Sequence, residues 1–118
     1  MLRKLALLQG VFYVVTGLWP LIHMTSFLQV TGPKTDLWLV RTVAVLVTVI
    51  GAVILQGGRR RRVTPEVVLL ASGSALGLAA IDIVHVLSKV ISPIYLADAA
   101  VELGLVACWA LAWRRADG

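Results

Sequence analysis

The sequence predicts an all-α, polytopic membrane protein: a bundle of four transmembrane helices with both termini in the cytoplasm. Three observations carry that reading. Of 118 residues, 59% are hydrophobic and only 14% charged, with a mean hydropathy of +0.92, too little polar surface to cover a water-soluble domain. Four apolar stretches, about 5–23, 37–56, 65–89 and 94–113, each supply the roughly 20 residues that a span needs, and together they fill the chain as a single domain. Eight of the 11 Lys and Arg residues (Arg3, Lys4, Arg59, Arg60, Arg61, Arg62, Arg114 and Arg115) fall on one side of this arrangement, against Lys34 and Lys89 on the other. The positive-inside rule therefore places both termini and the four-arginine loop in the cytoplasm of a multi-pass cell-membrane protein, in a bacterium the inner membrane.

The first span follows the basic pair Arg3-Lys4 and runs without charge to Trp19. Residues 20–24 offer no small-residue cleavage site, so the stretch reads as a retained helix rather than a signal peptide. Pro20 removes a backbone donor and is expected to kink or end it. Thr25 to Val30 reads as a short interfacial helix, and Thr31-Gly32-Pro33-Lys34-Thr35-Asp36 as a turn. The second span carries one charge, Arg41. Thr64-Pro65-Glu66 is a helix start, an N-cap followed by proline and an acid in the first turn. Ser92-Pro93 separates the third span from the fourth. Trp38 and Tyr95 fall at the outer interface and Trp113 at the inner one, as in an aromatic belt. The single Cys108 excludes an internal disulfide and is expected to be a small buried residue.

The polar residues inside the spans are not scattered. His23, Arg41, Asp82, His85, Asp98 and Glu102 all lie in the outer halves of their helices, and three of the chain's six acids are among them. Charged groups in hydrocarbon are costly, about 2.5–3.5 kcal/mol for an Asp at mid-helix, and face a bundle interior or a hydrated cavity. Asp82 and His85 are about 60° apart on one helix face, and Asp98 and Glu102 are an i, i+4 pair with Tyr95 above and Leu105 and Trp109 below. Trp38, Arg41, Ala44, Thr48 and Ala52 share a face of the second span; Gln9, Phe12, Thr16, Trp19 and His23 share one of the first. Ala71, Ala75 and Ala79 form a small-residue seam beneath Asp82. Gly73 and Gly77 form a G-x-x-x-G on the opposite face, which suits another helix of the bundle or a homodimer.

Three chemistries fit these residues. One is a salt-bridged core in which Arg41 holds Asp98 or Asp82, although one arginine does not account for three acids and two imidazoles. A metal site is a second, but the Asp-x-x-His spacing is short and unspecific and Arg41 opposes a cation, so no metal ligand is assigned. The third is an outer-half pocket that binds a small or lipophilic ligand, with acid and base chemistry on it by Asp82, His85, Asp98 and Glu102. Trp19, His23, Trp38, Arg41 and Tyr95 would line the ligand. Low dielectric and crowded carboxyls let one acid, expected to be Glu102, stay protonated as donor while a partner stays ionised. A non-catalytic accessory or scaffold subunit and proton or cation transport are the alternatives. The polar stripe fades towards the cytoplasm, which favours a pocket over a path. No nucleophile constellation, phosphate loop or dinucleotide fingerprint is present, and no cofactor is indicated. Beside a span, Arg59, Arg60, Arg61 and Arg62 read as a topology determinant that attracts anionic lipid headgroups, not as a nucleic-acid site.

Gly17-Leu18-Trp19-Pro20, Phe27-Leu28, Gly32-Pro33, Trp38-Leu39-Val40-Arg41 and Gly51 together resemble the first half of small four-helix bacterial membrane proteins of the DoxX-like type. The resemblance covers about the first 55 residues and implies a four-helix membrane bundle, some members of such families being associated with membrane redox complexes. Asp82-x-x-His85 and Asp98-x-x-x-Glu102 lie outside it.

The charge asymmetry makes a direct prediction. In a Cys108→Ala background, Lys34→Cys should react with a membrane-impermeant maleimide in intact cells and Asp117→Cys should not; the reverse pattern would invert the bundle.

Overall fold

In hydrocarbon every backbone amide must find its partner within the chain, which makes helices of apolar stretches such as these. The computed structural model, which describes residues 2–32, 37–89, 91 and 93–117, contains α1 (Leu2–Ile22), α2 (Met24–Thr31), α3 (Leu37–Arg59), α4 (Pro65–Leu87) and α5 (Tyr95–Asp117), with no strand among the described residues. α1, α3, α4 and α5 are each long and apolar enough to cross a membrane. Of the expected turns, residues 33–36, which include Lys34, and Ser92 lie outside the described residues.

The helix ends follow from local chemistry. α1 carries Pro20 inside it and continues to Ile22, with His23 N–H still donating to Trp19 O at 2.8 Å. His23 then leaves the helical region (φ −143°, ψ 81°) and caps α2, its Nδ1 accepting from Ser26 N–H at 3.2 Å. Trp19 seals this corner: Nε1 donates to Ser26 Oγ at 2.8 Å and the indole meets Phe27 edge-on at 5.4 Å. At the end of α3, Arg62 N–H reaches back to Gly57 O at 2.8 Å and Arg61 N–H to Gly58 O at 3.3 Å. These are the two bonds of a Schellman cap, with Arg61 (φ 54°) in the left-handed position that glycine usually fills. Arg3 Nε adds a third donor, to Gly58 O at 3.1 Å. α4 starts as its sequence dictates: Thr64 Oγ1 accepts from Val67 N–H at 3.3 Å, and Pro65 needs no donor.

The helices pair as two hairpins. α1 packs along α3 and α4 along α5; the contacts between the hairpins, α1 with α5 and α3 with α4, are much sparser. Glycine decides the first pairing. The inward face of α1 is Ala6, Gln9, Gly10, Tyr13, Gly17 and Pro20, and that of α3 is Ala44, Gly51, Ile54, Gly57 and Gly58. A Cβ on Gly10 would stand 2.6 Å from the Leu55 Cα, and one on Gly51 2.7 Å from the Tyr13 Cβ. In the second hairpin alanines take this role, with Ala71, Ala75, Ala79, Ala99 and Ala112 all buried. Gly73 and Gly77 face outward, and a Cβ on either meets nothing within 4 Å, so no other helix of this bundle occupies that seam.

The glycines therefore divide by position. Gly10→Ala and Gly51→Ala should each destabilise the protein by about 1–3 kcal/mol through overpacking of backbone that has little room to give. Gly73→Ala and Gly77→Ala should be neutral or stabilise by up to about 1 kcal/mol through helix propensity. Unfolding midpoints in mixed micelles, read by circular dichroism, distinguish the two sets.

Candidate functional site

Two interhelical knots join the hairpins. In the first, the Gln9 amide is wholly buried and bonded in two directions. Its Nε2 donates to Ala71 O on α4 at 2.9 Å, and its Oε1 accepts from Trp109 Nε1 on α5 at 2.6 Å. In the second, Tyr13 on α1 donates its hydroxyl proton to Glu102 Oε2 on α5 at 2.6 Å. Tyr13 and Glu102 are each 1% exposed, so this pair is desolvated. Gln9 sits one turn below Tyr13 and borders its hydroxyl, making the two knots neighbours.

The acids extend this arrangement away from the arginine end. Asp82 on α4 is 6% exposed, and the Asp98 carboxyl on α5 is its neighbour. Asp98 also borders Glu102 and Tyr13. Asp82 Oδ2 is buried and accepts no hydrogen bond, although a buried polar atom normally has a partner. No described basic side chain bonds to Asp82 or Glu102, whose charged neighbours are other acids. Tyr13, Asp82, Asp98 and Glu102 thus form a cluster of three carboxyls and a phenol drawn from three helices.

The remaining sequence-derived candidates lie elsewhere. Trp19 and His23 are occupied in the α1–α2 corner, His23 Nδ1 also lying 2.7 Å from Ser26 Oγ. Trp38 and Arg41 are exposed on the outside of α3. That helix turns its glycine face inward, and the polar residues on its wheel do not mark the buried side. His85 is half-buried, and its Nδ1–H donates to Ile81 O of its own helix at 2.8 Å. Cys108, expected to be buried, is exposed on α5. Tyr95 is half-buried in the first turn of α5. Among the described residues, no group of three or more His, Cys, Asp or Glu side chains is arranged to hold a metal ion.

Tyr13 is the buried polar side chain that the sequence reading passes over, and Gln9 appears there only as one residue of a helix face. Both were findable: they are an i, i+4 pair, and a phenol far from either interface needs a hydrogen-bond partner when buried. No family model, curated protein or solved structure matches this chain. Fold and site together define a helical bundle with four helices able to span a membrane and an acidic cluster at the seam between its hairpins.

Gln9→Leu should cost about 1–3 kcal/mol, because it strands the Trp109 N–H in the core. Trp109→Phe in that background should recover part of the loss, since both partners are then apolar. A double-mutant cycle on the unfolding midpoints measures the coupling; additivity of the two would mean that the bond contributes nothing.

Proposed function

We propose that this protein binds a small lipophilic ligand through the cluster of Asp82, Asp98 and Glu102, the ligand presenting a basic or hydrogen-bond-donating group and displacing protons as it binds. The observation that carries this reading is Asp82 Oδ2, an acceptor that is buried and unused beside two further carboxyls. Buried ionised carboxylates are too costly to stand unpaired, so such groups take up a proton or a cationic partner. Among the described residues no basic side chain lies against Asp82 or Glu102. The source of positive charge in this reading is external, as protons in the empty state and as the ligand in the bound one. The same carboxyls supply a base and an acid for proton transfer to a bound molecule, with Tyr13 fixing Glu102.

A closed site is favoured over a transport path by how the polar groups end. Beyond Tyr13 and Gln9 they stop at the Trp109 indole, which has no lone pair to take a proton, and at a backbone carbonyl.

Binding that releases protons must strengthen as pH rises. A lipophilic secondary amine titrated into the protein in weakly buffered nanodiscs should bind, release about one proton by indicator dye, and bind more tightly at higher pH. Its N-acetyl amide, equally apolar and without the charge, should bind about tenfold more weakly or worse, a difference of about 1.4 kcal/mol. Asp82→Asn should remove both the proton release and the preference for the amine. Equal binding of amine and amide, or unchanged proton release in Asp82→Asn, would refute the proposal.

A further inference from the structure

At the arginine end, away from Asp82, Asp98 and Glu102, a lateral groove of about 550 Å³ opens between α3 and the start of α4, where Glu66 lies in the first turn. Its wall is apolar, made by Val49, Ala52 and Val53 of the α3 span, with Val67 closing it from α4. Its mouth is basic. Of the four consecutive arginines only Arg60 and Arg62 line it, and the Schellman cap explains the choice. The left-handed turn at Arg61 folds Arg62 back over the last turn of α3, where its N–H meets Gly57 O, and so brings alternate side chains to one side. Arg60 is held in place as well: with the Gln56 amide oriented so that its oxygen faces the guanidinium, that oxygen accepts from Nε at 3.0 Å and from Nη2 at 3.1 Å. The other guanidinium donors are left for an anion. The N-terminus of α4 beside the groove adds the positive end of a helix dipole.

We propose that this groove is the site of one anionic phospholipid, with an acyl chain along Val49, Ala52 and Val53 and the phosphodiester held between Arg60 and Arg62. Charge complementarity and position select this occupant. An apolar wall on a helix able to span the membrane is open to acyl chains, and two guanidiniums at its end match a phosphate oxygen pair. The inference is independent of the acid cluster and more specific than attraction of lipid to a basic loop. It makes Arg60 and Arg62 ligands of one lipid and leaves Arg59 and Arg61 as bulk charge.

Native mass spectrometry of the protein extracted from vesicles of equal phosphatidylglycerol and phosphatidylcholine reads the outcome directly. The wild type should retain one phosphatidylglycerol in preference to phosphatidylcholine. Arg60→Gln/Arg62→Gln should lower that retention about tenfold or more, while Arg59→Gln/Arg61→Gln, with the same loss of charge, should stay within about twofold. Ala52→Phe, which fills the groove and leaves every arginine in place, should also expel the lipid; melting curves check that each variant is folded. Equal losses in the two arginine pairs, no headgroup preference in the wild type, or full retention in Ala52→Phe would each overturn the site.

Discussion

The Gln9 side chain is the joint that the rest of the bundle depends on. Within a bilayer one helix gains little by burying leucine against another, because lipid tails are as apolar as leucine. Close backbone approach and hydrogen bonding must supply what the hydrophobic effect does not. Inside each hairpin, glycine and alanine provide the close approach. Between the hairpins contact is sparse, and polar bonds take over: Gln9 to Ala71 and Trp109, and Tyr13 to Glu102. Interhelical hydrogen bonds in membranes are worth about 0.6 kcal/mol each on average and up to about 1.7. Three of them at one seam therefore fix the register of the hairpins without welding them together.

The basic residues serve structure as well as topology. Arg3 closes the last turn of α3 from a neighbouring helix, and Arg61 accepts a backbone conformation that costs a non-glycine residue about 1–2 kcal/mol. Cationic side chains at a helix C-terminus offset part of that cost through the dipole. The run Arg59 to Arg62, which could look like simple charge, thus holds a left-handed turn at Arg61 and two residues that line one groove, and Arg3 caps it from another helix.

The helical architecture was legible because hydropathy and helix-start chemistry are local. The four apolar runs and Thr64-Pro65-Glu66 need no tertiary information. The buried face of α4 was also legible, since Ala71, Ala75, Ala79 and Asp82 repeat at helical spacing and small size at such spacing has one use in a membrane. The faces of α1 and α3 were not. There the polar residues suggested the inward side, but glycine contact set the rotation, and it left Arg41 and Trp38 outside while drawing Tyr13 in. In water an apolar stripe would have betrayed the face; in lipid both sides of a helix are apolar and the stripe is absent. Tyr13 was hidden for the same reason, because a tyrosine among leucines and valines reads as filler until its partner on α5 is known.

The Tyr13–Glu102 bond has a kinetic meaning that follows from where it lies. It connects α1 to α5 and so crosses the seam between the hairpins, and the acids on α4 and α5 lie behind it. Any molecule that reaches Asp82 by parting the hairpins has to wait for that bond to break. For the binding proposed above, the bond would act as a latch on entry and exit. Because Glu102 is its acceptor as well as one of the proposed binding carboxyls, removing the phenol oxygen would speed opening and closing and alter the Glu102 end of the site together.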